Sequence, residues 1–161
     1  MDDIIEFGDV TLHWDDFAWS GTIAQPPFPS LYGAELLVET RDEEQIAPSD
    51  QQITAWQNLC QYKPTVQLAV LQATFEYYQK MRPQYAKAGP EWIANMPELE
   101  RPDQLTDRIG LNTVNLSWPY DEQPVRVGLS FGCTWEREHG IGVVLVDNKV
   151  IDIGGADCAL G

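Results

Sequence analysis

Basic side chains, histidine and cysteine are all scarce in this chain, and each scarcity removes a class of chemistry. Its 161 residues carry ten Lys and Arg against 25 Asp and Glu, for a net charge of −15. Nucleic acid binding needs clustered Lys and Arg to meet phosphates, so a nucleic-acid partner is not expected. Cysteine is limited to Cys60, Cys133 and Cys158, an odd number without metal-ligand spacing. That excludes a disulfide framework and a zinc site, and leaves three small apolar side chains. With only His13 and His139, a metal would have to rely on carboxylates, and no calcium-loop spacing is present. No apolar run reaches the roughly eighteen residues that a membrane helix requires. The N-terminus opens Asp2-Asp3 where a signal peptide needs basic residues, so this reading places the protein in the cytoplasm. Gly154-Gly155 in the segment 152–157 lack the following helix and lysine of a phosphate cradle. A turn is expected there, and no cofactor.

What is present is enough for one domain with a core of its own, and its charge is unevenly placed. Residues 1–50 hold twelve acidic residues against Arg41, a net −11, while residues 51–161 hold only −4. An acidic face keeps a protein soluble. It also draws in a basic partner and speeds docking.

The hydrophobic pattern divides the chain into a β-rich acidic segment (1–45), a helical segment (46–110) and a β-meander (111–161). Val10, Leu12 and Trp14 alternate with polar residues, Asp15-Asp16 offers a turn, and Phe17, Trp19 and Ile23 resume the alternation. Pro26, Pro27 and Pro29 then stop pairing, residues 34–40 read as a strand, and residues 41–44 as a solvated loop. Ser49 and Gln52 form a capping-box pattern, followed by Ile53, Trp56 and Cys60 with Leu59 at helical spacing. Val66, Ala69, Val70, Ala73, Tyr77 and Met81 draw the stripe of a second helix ending near Pro83. Residues 83–102 read as an irregular crossing pinned by Trp92, Ile93 and Met96, with a further short helix over 103–109. Residues 111–118 form a strand with Val114, Leu116 and Trp118 on one face. Every odd position from Val125 to Trp135 is apolar or aromatic, which gives a half-buried strand. Residues 141–146 are apolar on both faces, a strand covered on both sides. Asp147-Asn148 is a tight turn, and Val150, Ile151 and Ile153 belong to a last strand. The expected class is α+β: antiparallel sheet from N-terminal hairpins and a C-terminal four-strand meander, packed against two central helices.

The segment from Cys133 to Gly142 concentrates the side chains that could do chemistry: Glu136, Arg137, Glu138 and His139. As an enzyme site, His139 would be the base with Glu136 or Glu138 orienting it and Arg137 holding an anion. As structure, Trp135 caps the core, Gly140 supplies a positive φ, and Glu138 and His139 tie the turn together. The structural reading is preferred, because His13, on a strand facing inward through Val10, Leu12 and Trp14, points to solvent and no second catalytic member is evident. Trp56, Phe75, Tyr77 and Tyr78 at helical spacing are read as core.

The Trp-x-x-Glu-His-Gly-x-Gly pattern at 135–142, the Ser49-x-x-Gln52 helix start and the Tyr77-Tyr78 pair on the second helix resemble a bacterial domain family. Its members are of the kind found near polymorphic toxin genes, and the resemblance runs from about Ile46 to Ala159. It implies an immunity-type protein, a non-enzymatic binder that occludes a cognate toxin. The charge map adds that a basic toxin, such as a nuclease, suits the acidic segment. The contacts expected are Asp15, Asp16, Glu39, Asp42, Glu43 and Glu44, with Trp19 or Trp92 as an aromatic anchor. The alternatives are an enzyme using the His139 turn and a housekeeping interaction domain.

Overall fold

The computed structural model describes residues 2–30 and 32–160. Eight strands form a single sheet in chain order: β1 (Ile4–Phe7), β2 (Val10–Trp14), β3 (Ala18–Ile23), β4 (Ala34–Glu39), β5 (Ile109–Leu116), β6 (Val127–Cys133), β7 (Ile141–Val146) and β8 (Lys149–Gly154). All neighbours are antiparallel except β4 and β5, which run parallel with Glu35–Val38 beside Thr113–Leu116. The helices α1 (Asp50–Gln61), α2 (Lys63–Ala88) and α3 (Pro90–Ile93) lie between those two strands in sequence. The α+β class is as expected. The two expected groups of strands, however, are halves of one sheet, and a parallel junction needs a long crossover, which the helical segment supplies. Among the described residues no helix is long and apolar enough to cross a membrane.

Local chemistry explains most of the elements. The β7–β8 hairpin turns through Asp147 and Asn148, both at positive φ (51° and 63°), the geometry two-residue hairpins prefer. Strand β5 changes phase at a bulge between Leu111 and Thr113. Leu111 therefore shares the buried side with Val114 and Leu116, although it sits at the other parity. Strand β7 is covered on both faces, as its composition requires. Ile141, Val143 and Leu145 join the main core. Over the opposite face lies a 3-10 turn, Ala156–Leu160, that follows β8. It approaches so closely that a Cβ on Gly128 would collide with the carbonyl of Ala159, and one on Gly142 would lie 2.6 Å from the carbonyl of Gly155. The small residues between the large ones of β6 thus leave room for this turn.

Several sequence expectations are corrected. Helix α2 does not stop at Pro83 but runs through it to Ala88, ending at Gly89 with φ 143°. One missing amide near a helix end is tolerated where the flanking turns pack; here Tyr85 still reaches the core. The buried stripe of α1 is Gln52, Trp56 and Leu59, with Ile53 outside it. On α2 it is Val66, Val70, Thr74, Phe75 and Tyr78; Ala69 is exposed, and Tyr77 and Met81 are half-buried. Phe17 stands at the exposed β2–β3 turn and does not continue the apolar face of β3. The turn over 103–109 is only a 3-10 turn, Pro102–Leu105, and Ile109 already begins β5.

Gln52 joins these pieces. It is fully buried, and its capping box is formed, with the Gln52 amide N–H donating to Ser49 Oγ at 3.1 Å and Ser49 N–H donating to Gln52 Oε1 at 2.9 Å. Its Nε2 donates to the carbonyls of Glu39 (2.7 Å), Leu116 (3.3 Å) and Ser117 (3.0 Å). One amide therefore fixes the start of α1 to the ends of both parallel strands. Gln52→Leu keeps the size but leaves those carbonyls and the Ser49 amide without this partner, at about 1–3 kcal/mol for each group stranded from water. A urea titration should show a loss of roughly 2–4 kcal/mol, whereas a loss under about 0.5 kcal/mol would mean water takes over the role.

Candidate functional site

The register of the sheet sorts the loops into two ends. Ile4 faces His13, Trp14 faces Trp19, Ala18 faces Glu39, Val38 faces Leu116, and Val127 faces Leu145. The N-terminus, the β2–β3 turn, the segments after β4 and β5, and the β7–β8 turn therefore gather at one end. Hydrogen bonds connect them: Trp14 N–H donates to Asp3 O at 2.9 Å, and Gln45 Nε2 to Asp3 Oδ1 at 2.9 Å. Asp42 N–H donates to the hydroxyl of Tyr120 at 2.7 Å, and that hydroxyl donates to Asp42 Oδ1 at 3.2 Å. The turns after β4 and β5 are copies of each other. Asp42-Glu43 and Asp121-Glu122 both take φ of 52° and 60°, so two parallel strands end in the same acidic left-handed turn.

This end carries Asp2, Asp3, Asp15, Asp16, Asp42, Glu43 and Glu44, together with Asp50 at the start of α1, Asp121, Glu122 and Asp147. Among cations near it, Arg41 is spent on Glu44 at 3.5 Å, while Arg126 and Lys149 flank the neighbouring strand starts. Of the expected contacts, Asp15, Asp16, Asp42, Glu43 and Glu44 are exposed and share this end. Asp15 also holds its own turn, its Oδ1 accepting from the amides of Phe17 and Ala18. Glu39 is different: it is half-buried and accepts from the buried Asn115 Nδ2 at 2.8 Å. Burial pushes its carboxyl up, partly offset by that hydrogen bond.

Neither expected aromatic anchor lies among the acids. Trp19 is entirely buried, edge-on to Trp14 at 5.3 Å, and its indole donates to Ile46 O at 2.8 Å. The parity of β3 turns it inward, so it is core and unavailable as an anchor. Trp92 is 44% exposed but belongs to the other end of the sheet, tilted on Tyr85 at 6.3 Å. The acidic end has its own exposed aromatics, Phe17 (63%) and Tyr120 (46%). Phe17 was hidden by its fit to the strand alternation. The acidic Asp121-Glu122 pair, a repeat of the Asp42-Glu43 pair, was the signal for the second turn. Beside this end, a groove of about 590 Å³ runs between α1 and the β5–β6 connection.

The His139 turn occupies the opposite end, between β6 and β7. Glu136, more than Glu138, organises it. Its Oε2 lies 3.1 Å from His139 Nδ1 and accepts from the Tyr85 hydroxyl at 3.3 Å, and its Oε1 accepts from the Glu138 amide at 3.3 Å. Glu138 and Arg137 point to solvent, and the His139 side chain is 73% exposed against 13% for Glu136. Gly140 takes φ 60°, and a Cβ there would strike the carbonyl of Phe131. Trp135 is buried edge-on to Tyr78 at 4.9 Å, and Tyr78 in turn donates to Pro97 O at 2.7 Å. The Cys133 thiol is pushed up to about 11, chiefly by burial, which keeps it un-ionised and unreactive. Burial, then the Glu136 carboxylate, pushes Tyr85 up to about 12. His13, on β2, is exposed as expected. Among the described residues, no group of three or more His, Cys, Asp or Glu is arranged to hold a metal ion.

The Glu136–His139 pair makes the turn pH-dependent. The hydrogen bond that His139 donates to Glu136, with the charge of that carboxylate, raises His139 above its ordinary 6.5. Burial alone would raise Glu136, but the hydrogen bond and charge of His139, with Tyr85 and the Glu138 amide, outweigh it and lower the carboxyl below 4.5. The raised histidine contributes fully below pH 6.5 and loses that contribution as pH rises through its shifted value. The lowered carboxylate contributes above pH 4.5 and loses it as pH falls through its own shifted value. His139→Ala should therefore lower Tm most at about pH 5.5 and hardly at about pH 8.5; an equal gap at both would assign the side chain a packing role. Trp135→Ala should cost roughly 3–5 kcal/mol by urea titration, as for other buried aromatics, and an unchanged midpoint would remove this ring from the core.

No curated protein matches the chain, and no solved structure matches it. A family model described as a domain of unknown function, DUF6985, matches residues 6–160. The chain belongs to the DUF6985 family.

Proposed function

We propose that this protein is a non-enzymatic binding domain of the immunity kind, neutralising a cognate basic toxin in the cytoplasm by occluding it. One observation carries the reading: the sheet register brings carboxylates from separated segments of the chain to the same end. Core packing alone does not require acids in every turn at one end and a different composition at the other. Folding gains nothing from exposed like charges gathered at one end, and their accumulation beside Phe17 and Tyr120 supports a partner of opposite charge. Steering by such a surface raises the association rate, and desolvated aromatics set how long the complex lasts.

The His139 turn takes no part in this reading. Its strongest side-chain interactions run inward, to Glu136 and Tyr85, and they serve to hold the β6–β7 connection.

The probe is a basic toxin domain, which this reading expects to be encoded in a gene neighbouring this one. Asp42→Asn, Glu43→Asn and Glu44→Gln together remove three charges; asparagine at the first two positions tolerates the left-handed backbone. Stability should change little, because exposed charges contribute little to folding. Association should slow about tenfold at low salt, and the deficit should shrink as salt screens the parent. A parent rate independent of salt would reduce the acidic end to a solvated surface. Phe17→Ala should leave association nearly unchanged and speed dissociation about tenfold, the behaviour of an anchor at an interface.

A further inference from the structure

The groove beside the acidic end has a lining that selects one kind of side chain. Ala55 on α1, Pro124 and Val125 before β6, and Val127 on β6 supply its apolar lining, while the carboxylates Asp50, Glu122 and Asp147 come from three different walls. Those walls are the first turn of α1, the β5–β6 connection and the β7–β8 turn. No Lys or Arg is among the lining residues. The arrangement is braced, since Asn148 Nδ2 donates to Asn58 O at 3.1 Å and ties the hairpin turn to α1. Lysine and arginine combine an apolar stem with a cationic head, and an apolar lining among carboxylates complements both parts. The positive end of the α1 dipole opposes a cation there, but Asp50 and the Ser49–Gln52 cap already engage it. The heads are therefore drawn to the Glu122 and Asp147 side. At about 590 Å³, the groove admits several side chains rather than one ion.

We infer that this groove seats a Lys- or Arg-bearing polypeptide segment of the bound partner, stems over Ala55 and Val125 and heads on Glu122 and Asp147. The inference rests on the immunity reading and adds where the partner inserts and which residues it must bring.

Two variants of α1 separate the groove from the helix. Gln51 and Thr54 line the groove and are exposed, so Gln51→Arg with Thr54→Arg fills it and offsets two of its three negative charges. Ile53 and Gln57 are exposed on the same helix outside the groove, so Ile53→Arg with Gln57→Arg adds the same charge elsewhere. Against the basic toxin domain, the groove variant should raise Kd at least tenfold, and the control should stay within about threefold of the parent. Equal effects of the two pairs, or no effect of either, would overturn the inference while leaving salt-dependent binding by the acidic end intact. A second probe does not depend on the toxin. In a titration of the folded chain with a hexa-arginine peptide, the largest amide shifts should fall on Asp50, Thr54, Glu122 and Asp147 and vanish in the groove variant. If the toxin domain fails to bind the parent, the immunity reading falls and the peptide decides alone. Shifts confined to the groove uphold it as a seat for basic segments, and shifts centred on residues 42–44 reject it.

Discussion

The two halves of the sheet meet at β4 and β5, and the meeting is held by a side chain with no exposure. Gln52 gives its amide protons to carbonyls at the ends of both strands while its own carbonyl caps the helix that follows. A buried amide has value only when satisfied; unsatisfied, it would cost more than a satisfied one contributes. Because the same residue fixes where α1 starts and how β4 lies against β5, it also sets the positions of the two acidic turns that follow those strands. The Tyr120–Asp42 hydrogen bonds then lock the turns to each other. The geometry of the candidate site is thus a consequence of a capping box more than of its own charges.

The elements whose signal is local were legible in the sequence. The Ser49–Gln52 cap, the Asp147-Asn148 turn, the odd-position apolar series of β6 and the two-sided composition of β7 each state their structure within a few residues. What escaped was set by tertiary context. Pro83 is a breaker by propensity, yet α2 continues because its last turns pack. Ile53 looks like core and Gln52 like surface, but the backbone carbonyls waiting at Glu39, Leu116 and Ser117 reverse their places. Periodicity cannot foresee a buried glutamine, since it ranks residues by hydropathy and not by the partners available. Nor could it reveal that β4 and β5 would pair, joining two groups of strands into one sheet.

The site was legible in its charge and illegible in its geometry. Asp15, Asp16 and residues 42–44 were accessible to a reading of local charge density, and they do share one end of the sheet. Asp121, Glu122 and Asp147 lie in the less acidic part of the chain and join them only through strand register. Trp19 was offered as an anchor for its place beside the acidic turn, although it shares the apolar alternation of β3 that buries it. The aromatics that do stand among the acids occupy turns, where alternation carries no information. In the pattern at 135–142 two local expectations are met: Trp135 is buried and Gly140 takes a positive φ, and both hold the connection at the far end.

The parallel junction has a consequence for how the chain reaches this state. Every other pairing in the sheet joins strands that follow each other with at most ten residues between them, and contacts so near in sequence form faster than distant ones. β4 and β5 are separated by the whole helical segment, so closing that distance costs chain entropy before any contact repays it. Two meanders should form early and wait for α1 and α2 to bring them together. In that interval each presents one unpaired strand edge, with Leu36 and Val38 on one and Val114 and Leu116 on the other, all destined for burial. An apolar edge of this kind recruits the same edge of another copy. Exchange of halves between chains and aggregation during synthesis are therefore the failures to which this topology is most exposed.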